Sequence, residues 1–500
     1  MIAADNNHPS QNTNSQDKRA TQDSRPQDNR TQDNSFDMIV IGSGPAGQKA
    51  AIQAAKVGRT VAIIERSREL GGSCVHRGTI PSKTLRENAL RVKAMRQNAE
   101  FANFKLPEAI ELATLIQRLE EVLDAHDNYM RRQVARNNVE LVHGRAKFTS
   151  ATSVEVTDVR GNTRHYYAEH IVIATGSEPR SPDHINVDHE HVFDSDSVLS
   201  MLYLPRSLVV LGGGVIASEY ASIFQALGVK VTMIDRYPRP LGFLDDDLTD
   251  TFISAFEDMG GTWIGNANVT QASWNGVDAV LTVLEDGRKI KSEKLLCAAG
   301  RISNVKDLCI EAAGLQVNER GLITVDNNLR TQVPSIYAAG DIIGPPSLAS
   351  ASMEQGRRAT CNALGLALGN MNSMIPTGIY SIPELSSIGL NEVSAKKAFG
   401  EILIGKARFD EIARGQISGI QNGLLKIICD GNGQKILGVM IVGEGATELI
   451  HIGQMAMINN SPIDIFVDNI FNFPTLAEAY RVAALSIIGQ RMQKAKALGI

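Results

Sequence analysis

Three observations predict an α/β fold made of two βαβ units and a separate α+β region. First, Met38-Ile39-Val40-Ile41 is a short apolar run that stops at Gly42. It leads into a small-residue helical pattern from Ala46 to Val57 and a second apolar run, Val61-Ala62-Ile63-Ile64. Second, the same grammar returns 170 residues on. Leu208-Val209-Val210-Leu211 precedes glycines, a helix through Leu227, and Val231-Thr232-Met233-Ile234. Third, after residue 375 the pattern becomes strands (Ser386 to Gly389, Leu424 to Cys429, Ile436 to Val442) and then helices.

Taken in order, residues 1–35 differ from all that follows. They repeat Gln-Asp, as in Thr21-Gln22-Asp23 and Gln27-Asp28-Asn29, and hold almost nothing apolar. Such a stretch cannot bury enough surface to offset the entropy of ordering it, so a disordered tail is expected. A solvated extension and a partner-binding tail both fit that composition. Order is expected from Phe36. Between the two units, residues 81–138 read as helices, and residues 146–173 as short strands with a turn at Gly161-Asn162.

Composition narrows the function. At 500 residues the chain has room for about three domains. Fifty basic against 55 acidic side chains leave a net charge of −5, without the basic excess that nucleic acid demands. No run of 18 apolar residues offers a transmembrane helix, and Met1 to Ser10 lacks the pattern of a signal peptide. Cys74, Cys297, Cys309, Cys361 and Cys429 are spaced neither as a zinc site nor as a disulfide framework. A soluble, cytoplasmic protein is expected, with no metal, no nucleic acid and no membrane among its partners.

The two glycine turns carry the chemistry. Gly42-Ser43-Gly44-Pro45-Ala46-Gly47 is a full G-x-G-x-x-G between strand and helix. Gly42 permits the tight turn, Gly44 admits a pyrophosphate close to the backbone, and Gly47 lets the helix pack on the strand. The helix N-terminus adds free N–H groups and a positive dipole end. Glu65 closes the second strand 18 residues after Gly47, placed to accept from ribose hydroxyls, and Arg66 follows it. The second turn is Gly212-Gly213-Gly214-Val215-Ile216-Ala217, with alanine at its third position. Asp235 stands 18 residues after Ala217 and favours an unphosphorylated ribose, hence NAD. Arg236 and Arg239 favour a 2′-phosphate, hence NADP, or form a solvated loop. These signals conflict. Two Rossmann-like dinucleotide sites are expected in one chain.

After the first unit comes Gly71-Gly72-Ser73-Cys74-Val75-His76-Arg77-Gly78-Thr79-Ile80-Pro81-Ser82-Lys83. This segment resembles the FAD-dependent pyridine nucleotide–disulfide oxidoreductases, which include lipoamide dehydrogenase and glutathione reductase. The family carries two cysteines here; this chain keeps Cys74 and has Thr79 in the second position. Near the C-terminus, Asn472-Phe473-Pro474-Thr475-Leu476-Ala477-Glu478 resembles the family's His-Pro-Thr-x-x-Glu motif, with Phe473 in place of the histidine. A dithiol relay needs its second thiol, and a phenyl ring carries no proton. What remains is similar to the soluble pyridine nucleotide transhydrogenase branch of the family. That likeness rests on residues 78–83, Pro376-Thr377-Gly378-Ile379-Tyr380, and residues 473–485, within a resemblance spanning about 36–490. Arg77 stands where the branch commonly has an aromatic.

The resemblance implies FAD as cofactor, NAD and NADP as substrates, and hydride transfer between NADPH and NAD⁺. It implies a C-terminal dimerisation domain and a homodimer, with a higher homo-oligomer left open. The implied domains are 36–180 and 306–374 for FAD, 181–305 for NAD(P), and 375–500 for dimerisation. Lys83 and Glu219 match the ion pair beside the flavin N5, and so are the candidate catalytic residues. Cofactor-binding roles fall to the first turn, the 71–74 segment, Thr175, Gly176, Gly340, Asp341 and Ala349. At the second site they fall to Gly212, Gly214, Val215, Ile216, Asp235, Arg236, Gly300 and Arg301. An NAD(P)H diaphorase or quinone reductase, a divergent lipoamide dehydrogenase-like protein and an NAD(P)H-sensing flavoprotein are the alternatives. His76, His126 and His451 have no ligand-spaced neighbours and are read as structural, as are the cysteines other than Cys74.

Overall fold

The computed structural model describes residues 34–102, 112–371 and 373–497. Nearly all of the 1–35 tail lies outside them. The first apolar run forms the strand Ser35–Ile41, central in a seven-stranded sheet between the parallel strands Val61–Glu65 and Thr163–Ile173. Layers cover both faces, and Met38, Ile39 and Val40 are wholly buried, which is why the run does not alternate. The helix Pro45–Lys56 starts with proline in its first turn and buries Ala46, Ala50, Ala51 and Ala54. Its small residues let the helix Ala349–Ala363 approach so closely that a Cβ on Gly356 would fall 2.0 Å from the Ala46 carbonyl oxygen.

The chain leaves this sheet after Thr163–Ile173 and returns at Ile336–Ala338, paired with the same strand. Exit and return are tied by an antiparallel ribbon of Ser177–Pro179 and Arg301–Ser303. The excursion between builds a second, five-stranded parallel sheet, centred on Ser207–Leu211 and Lys294–Cys297, and a three-stranded antiparallel sheet. The strand Thr163–Ile173 runs for 11 residues, so the 146–173 stretch is not uniformly short strands.

The C-terminal region is a five-stranded antiparallel sheet under the helix Glu478–Ala497. Two of its strands, Thr377–Ile379 and Ile402–Arg408, were not anticipated. Ile402–Arg408 buries every second residue, Leu403, Gly405 and Ala407, and at Gly405 a Cβ would meet the Ala483 carbonyl oxygen at 2.0 Å.

One helix, Thr79–Ala102, ties the three regions together. Its Lys83 meets Glu219 in the second unit. Arg86 binds Glu384 at 2.7 Å and the Ser381 carbonyl at 3.0 Å in the C-terminal region. A second tie is Lys426, wholly buried on a central C-terminal strand, whose ammonium meets Asp245 and Asp247 of the second unit and Glu392.

Candidate functional site

Both glycine turns open on one cavity of about 1900 Å³, which all three regions line. At the first turn the glycines divide as their chemistry requires. A Cβ on Gly42 would meet the Ala174 carbonyl oxygen at 2.4 Å and one on Gly47 the Gly42 carbonyl oxygen at 1.9 Å, while Gly44 faces open space. That cradle lies at a helix N-terminus with no side-chain cap, so its first-turn N–H groups remain for an anion. At the second turn, Gly212 abuts Ala298, Gly214 is open and the helix Val215–Ala226 likewise lacks a cap. These residues fit two dinucleotides.

Glu65 lies at the strand end beside the first turn. Its Oε2 accepts from the Ser43 N–H (2.9 Å) and hydroxyl (2.7 Å), and its Oε1 from the Ser67 N–H. Ser43 also accepts the Gly71 N–H at 3.1 Å, joining the turn to the Cys74 segment. Gly72, Ser73, Pro45, Ala46, Arg66, Thr175, Gly176 and Ala349 all line the cavity. Asp341 accepts from the Ser177 hydroxyl at 2.7 Å, and the Gly340 N–H is held by Gln355.

Midway along the cavity, Lys83 Nζ meets both carboxylate oxygens of Glu219, at 2.8 and 2.7 Å. The Tyr380 N–H donates to Glu219 as well, and the ammonium lies 4.8 Å from the centre of the Tyr380 ring. Cys74 is nearby. Burial pushes its thiol above the ordinary 9.0, although the Thr79 hydroxyl and Lys83 pull the other way. A buried, protonated thiol beside a hydroxyl is a poor nucleophile.

Of the predicted residues, Gly47, Gly71 and Gly212 act in packing behind the cavity wall, and Asp235 and Arg236 do not line it; Asp235 sits against the second turn, its Oδ2 3.0 Å from where a Cβ on Gly213 would stand. Arg301 lines the cavity, but its guanidinium is engaged by the protein: Ser177 Oγ and O, Ser195 Oγ and, at 2.7 Å, Asp196. Arg77, also on the cavity, reaches the same Asp196 at 3.5 Å, so it contributes to a bridge between the first and second units. His76 bonds the Leu70 carbonyl, in keeping with a structural role. His451 lines the cavity and bonds Gln454, a placement that ligand spacing could not reveal. Phe473 is exposed, and Glu478 Oε2 is buried with no hydrogen-bond partner among the described residues. Sequence reading missed Ser43, Ser177, Asp196 and Tyr380. Ser43 and Tyr380 had a signal, one inside the glycine turn and the other closing the 376–380 segment; Ser177 and Asp196 are brought in by tertiary folding alone.

A cavity with two dinucleotide turns and an ion pair on its wall defines a protein built to hold two dinucleotides. The chain belongs to the pyridine nucleotide-disulphide oxidoreductases, whose family pattern matches residues 36–356, with the family's dimerisation domain matching 375–484. It is 42% identical over 457 residues to a protein of Mycobacterium bovis named soluble pyridine nucleotide transhydrogenase, covering 91% of this chain and 97% of the relative. A protein of the same name from Pseudomonas putida is 42% identical over 456 residues, covering 90% and 97%. Among solved structures, the HOCl-induced flavoprotein disulfide reductase RclA from Escherichia coli matches with a TM-score of 0.82 at 29% identity, over 90% of this chain and 99% of that one.

Proposed function

We propose that this chain is an FAD-dependent oxidoreductase that transfers hydride between NADPH and NAD⁺. The observation that carries the reading is a contrast within one cavity: the Lys83–Glu219 pair is closed at 2.7 Å, while Cys74 faces a threonine hydroxyl instead of a second thiol. The apparatus beside the flavin is kept and the disulfide relay is absent. The names of the relatives point the same way.

FAD, when bound, supplies the group that takes a hydride from one nicotinamide and gives it to another. The chain's own residues position and tune. The first turn and Glu65 would hold the FAD pyrophosphate and ribose, and Asp341, which accepts from the Ser177 hydroxyl, would meet the ribityl chain. The second turn receives each nicotinamide coenzyme in succession. Lys83 would place a positive charge that favours electron-rich flavin, and Glu219, itself held by the Tyr380 N–H, fixes that ammonium. Burial keeps Cys74 protonated, so it takes no part.

The reading includes a homodimer built on the 375–484 domain and a cytoplasmic location. No helix among the described residues is long and apolar enough to cross a membrane. The test is stopped-flow absorbance. NADPH should bleach the flavin, and NAD⁺ should restore it with ping-pong kinetics, while lipoamide and glutathione disulfide do nothing. Rapid reoxidation by a quinone with none by NAD⁺ would make the protein a diaphorase.

A further inference from the structure

The loop that follows the second unit's Asp235 is pinned rather than free. The Leu241 N–H donates to the Gly213 carbonyl at 2.7 Å, the Trp263 indole to the Pro238 carbonyl, and the Tyr237 N–H to Asp235 Oδ1 at 3.0 Å. A Cβ on Gly213 would sit 3.0 Å from Asp235 Oδ2 and 3.2 Å from Pro240 Cα, so the loop curls back onto the glycine turn with Arg239 beside it. The two arginines in this loop have opposite circumstances. Arg236 donates to the Tyr237 hydroxyl at 2.9 Å and lies over its ring, with no carboxylate partner among the described residues. Arg239 is gripped at two points by Asp250, at 2.7 and 3.2 Å, with Asp246 a further 3.5 Å contact.

We propose that Asp250, on the helix Asp246–Asp258, is a positioning residue for coenzyme choice: by engaging Arg239 it leaves Arg236 alone to meet a 2′-phosphate beside Asp235. This deepens the two-coenzyme reading above and rests on it. A planar guanidinium matches either a carboxylate or a phosphate in the same two-point fashion, so the two acceptors compete for Arg239. Asp235 serves the unphosphorylated ribose of NAD. One Asp, one available Arg and one withheld Arg make a site that accepts both coenzymes without committing to NADPH.

The size of the effect follows from exposure. The side chains of Arg239 and Asp250 are 37% and 54% exposed, so their pair is worth no more than a surface salt bridge. Removing the carboxylate while keeping its shape, as Asp250→Asn, should lower the half-saturating NADPH concentration for flavin bleaching about fivefold. The NADH constant should stay within about twofold and both limiting rates should hold, since nothing near the nicotinamide changes. The NADPH gain should fade as salt rises. Asp250→Glu, which restores the carboxylate, should restore the original preference, and adding Arg239→Ala to Asp250→Asn should abolish the gain. Equal movement of both constants, or a gain that survives Arg239→Ala, overturns the proposal. Bleaching needs only the first coenzyme, so a flavin that bleaches with both coenzymes yet never reoxidises with NAD⁺ removes transhydrogenation and not this inference.

Discussion

Lys83 and Glu219 stand 136 residues apart in sequence and form a two-point ion pair, Nζ to Oε1 at 2.8 Å and to Oε2 at 2.7 Å. The pair spans two helices, Thr79–Ala102 and Val215–Ala226, one from each dinucleotide unit. Glu219 is almost fully buried, while Lys83 keeps a quarter of its side chain open to the cavity. The carboxylate is therefore the anchor, and the ammonium is the end that faces the cavity.

Lys83→Met should slow flavin reduction by NADPH and reoxidation by NAD⁺ alike, by about 10² in each half-reaction, the low end for loss of a preorganised electrostatic group. Glu219→Gln keeps the ammonium but loosens it, and should cost less. Stopped-flow traces of the two half-reactions measure both. A variant slowed in only one direction would show that the charge does not act on a species common to the two.

The Cys74 and Thr79 side chains are within hydrogen-bond reach of each other, which makes the missing relay restorable. Anaerobic titration of the wild type should take up one two-electron equivalent per flavin, and Cys74→Ser should titrate identically. Thr79→Cys should take up a second equivalent after oxidation, because the new thiol stands where the hydroxyl meets Cys74. The pH dependence of Cys74 has a definite sign. Burial raises its pKa above 9.0, so iodoacetamide labelling should be slow at neutral pH and accelerate only above the ordinary thiol range.

The glycine turns were legible because their chemistry is local: φ at Gly42 is +103° and at Gly212 +118°, values that side-chain-bearing residues rarely adopt. The places of Glu65 at the end of its strand and of Asp235 just after its own were legible because strand length fixes the spacing from each turn. Ser177 and Asp196 were not. They meet Asp341 and Arg301 only because an antiparallel ribbon folds residues 177–179 against 301–303, a pairing with no short-range signature. The same holds for Arg77, whose partner Asp196 is 119 residues away. His451 shows the opposite limit: motif spacing says nothing about a lone residue that a helix happens to turn toward a cavity.

Lys426 should be the most stability-sensitive charge in the chain. It is wholly buried with Asp245, Asp247 and Glu392, across the contact between the second unit and the C-terminal sheet. Lys426→Met leaves those carboxylates short of a partner and should cost about 3 kcal/mol in chemical denaturation. Burial alone would raise the pKa of Asp247 and Glu392, but Lys406, Lys396 and Lys426 more than reverse it, so both lie below the ordinary 3.8 and 4.5. Burial would lower that of Lys426, and its carboxylates likewise reverse this, leaving it above 10.5. The carboxylate contribution is therefore present above their unfolded pKa values and lost as pH falls through the depressed ones. The lysine contribution is present below 10.5 and lost as pH rises through the elevated value. The gap between wild type and variant should be flat from roughly pH 5 to 10 and narrow on either side.

The C-terminal region leaves apolar side chains in water that a monomer has no reason to expose. Ile470 is 97% exposed and Phe473 74%, on the segment leading into the helix Glu478–Ala497, where Leu485 and Met492 are exposed too. Glu478 Oε2, in the same stretch, is buried without a hydrogen-bond partner among the described residues. Clustered exposed apolar groups mark a surface that another molecule covers, and the match to the family's dimerisation domain over 375–484 makes a second copy of this chain the occupant to test. Ile470→Asp with Phe473→Asp should give monomers in size-exclusion chromatography with light scattering. Both side chains project into water, so the thermal midpoint of the isolated subunit should move little. If the segment borders the partner's flavin, the monomer should also lose FAD on dilution, read from released flavin fluorescence. A double variant that remains dimeric with full flavin would place the interface on another face, and a monomer that keeps its flavin would detach cofactor retention from assembly.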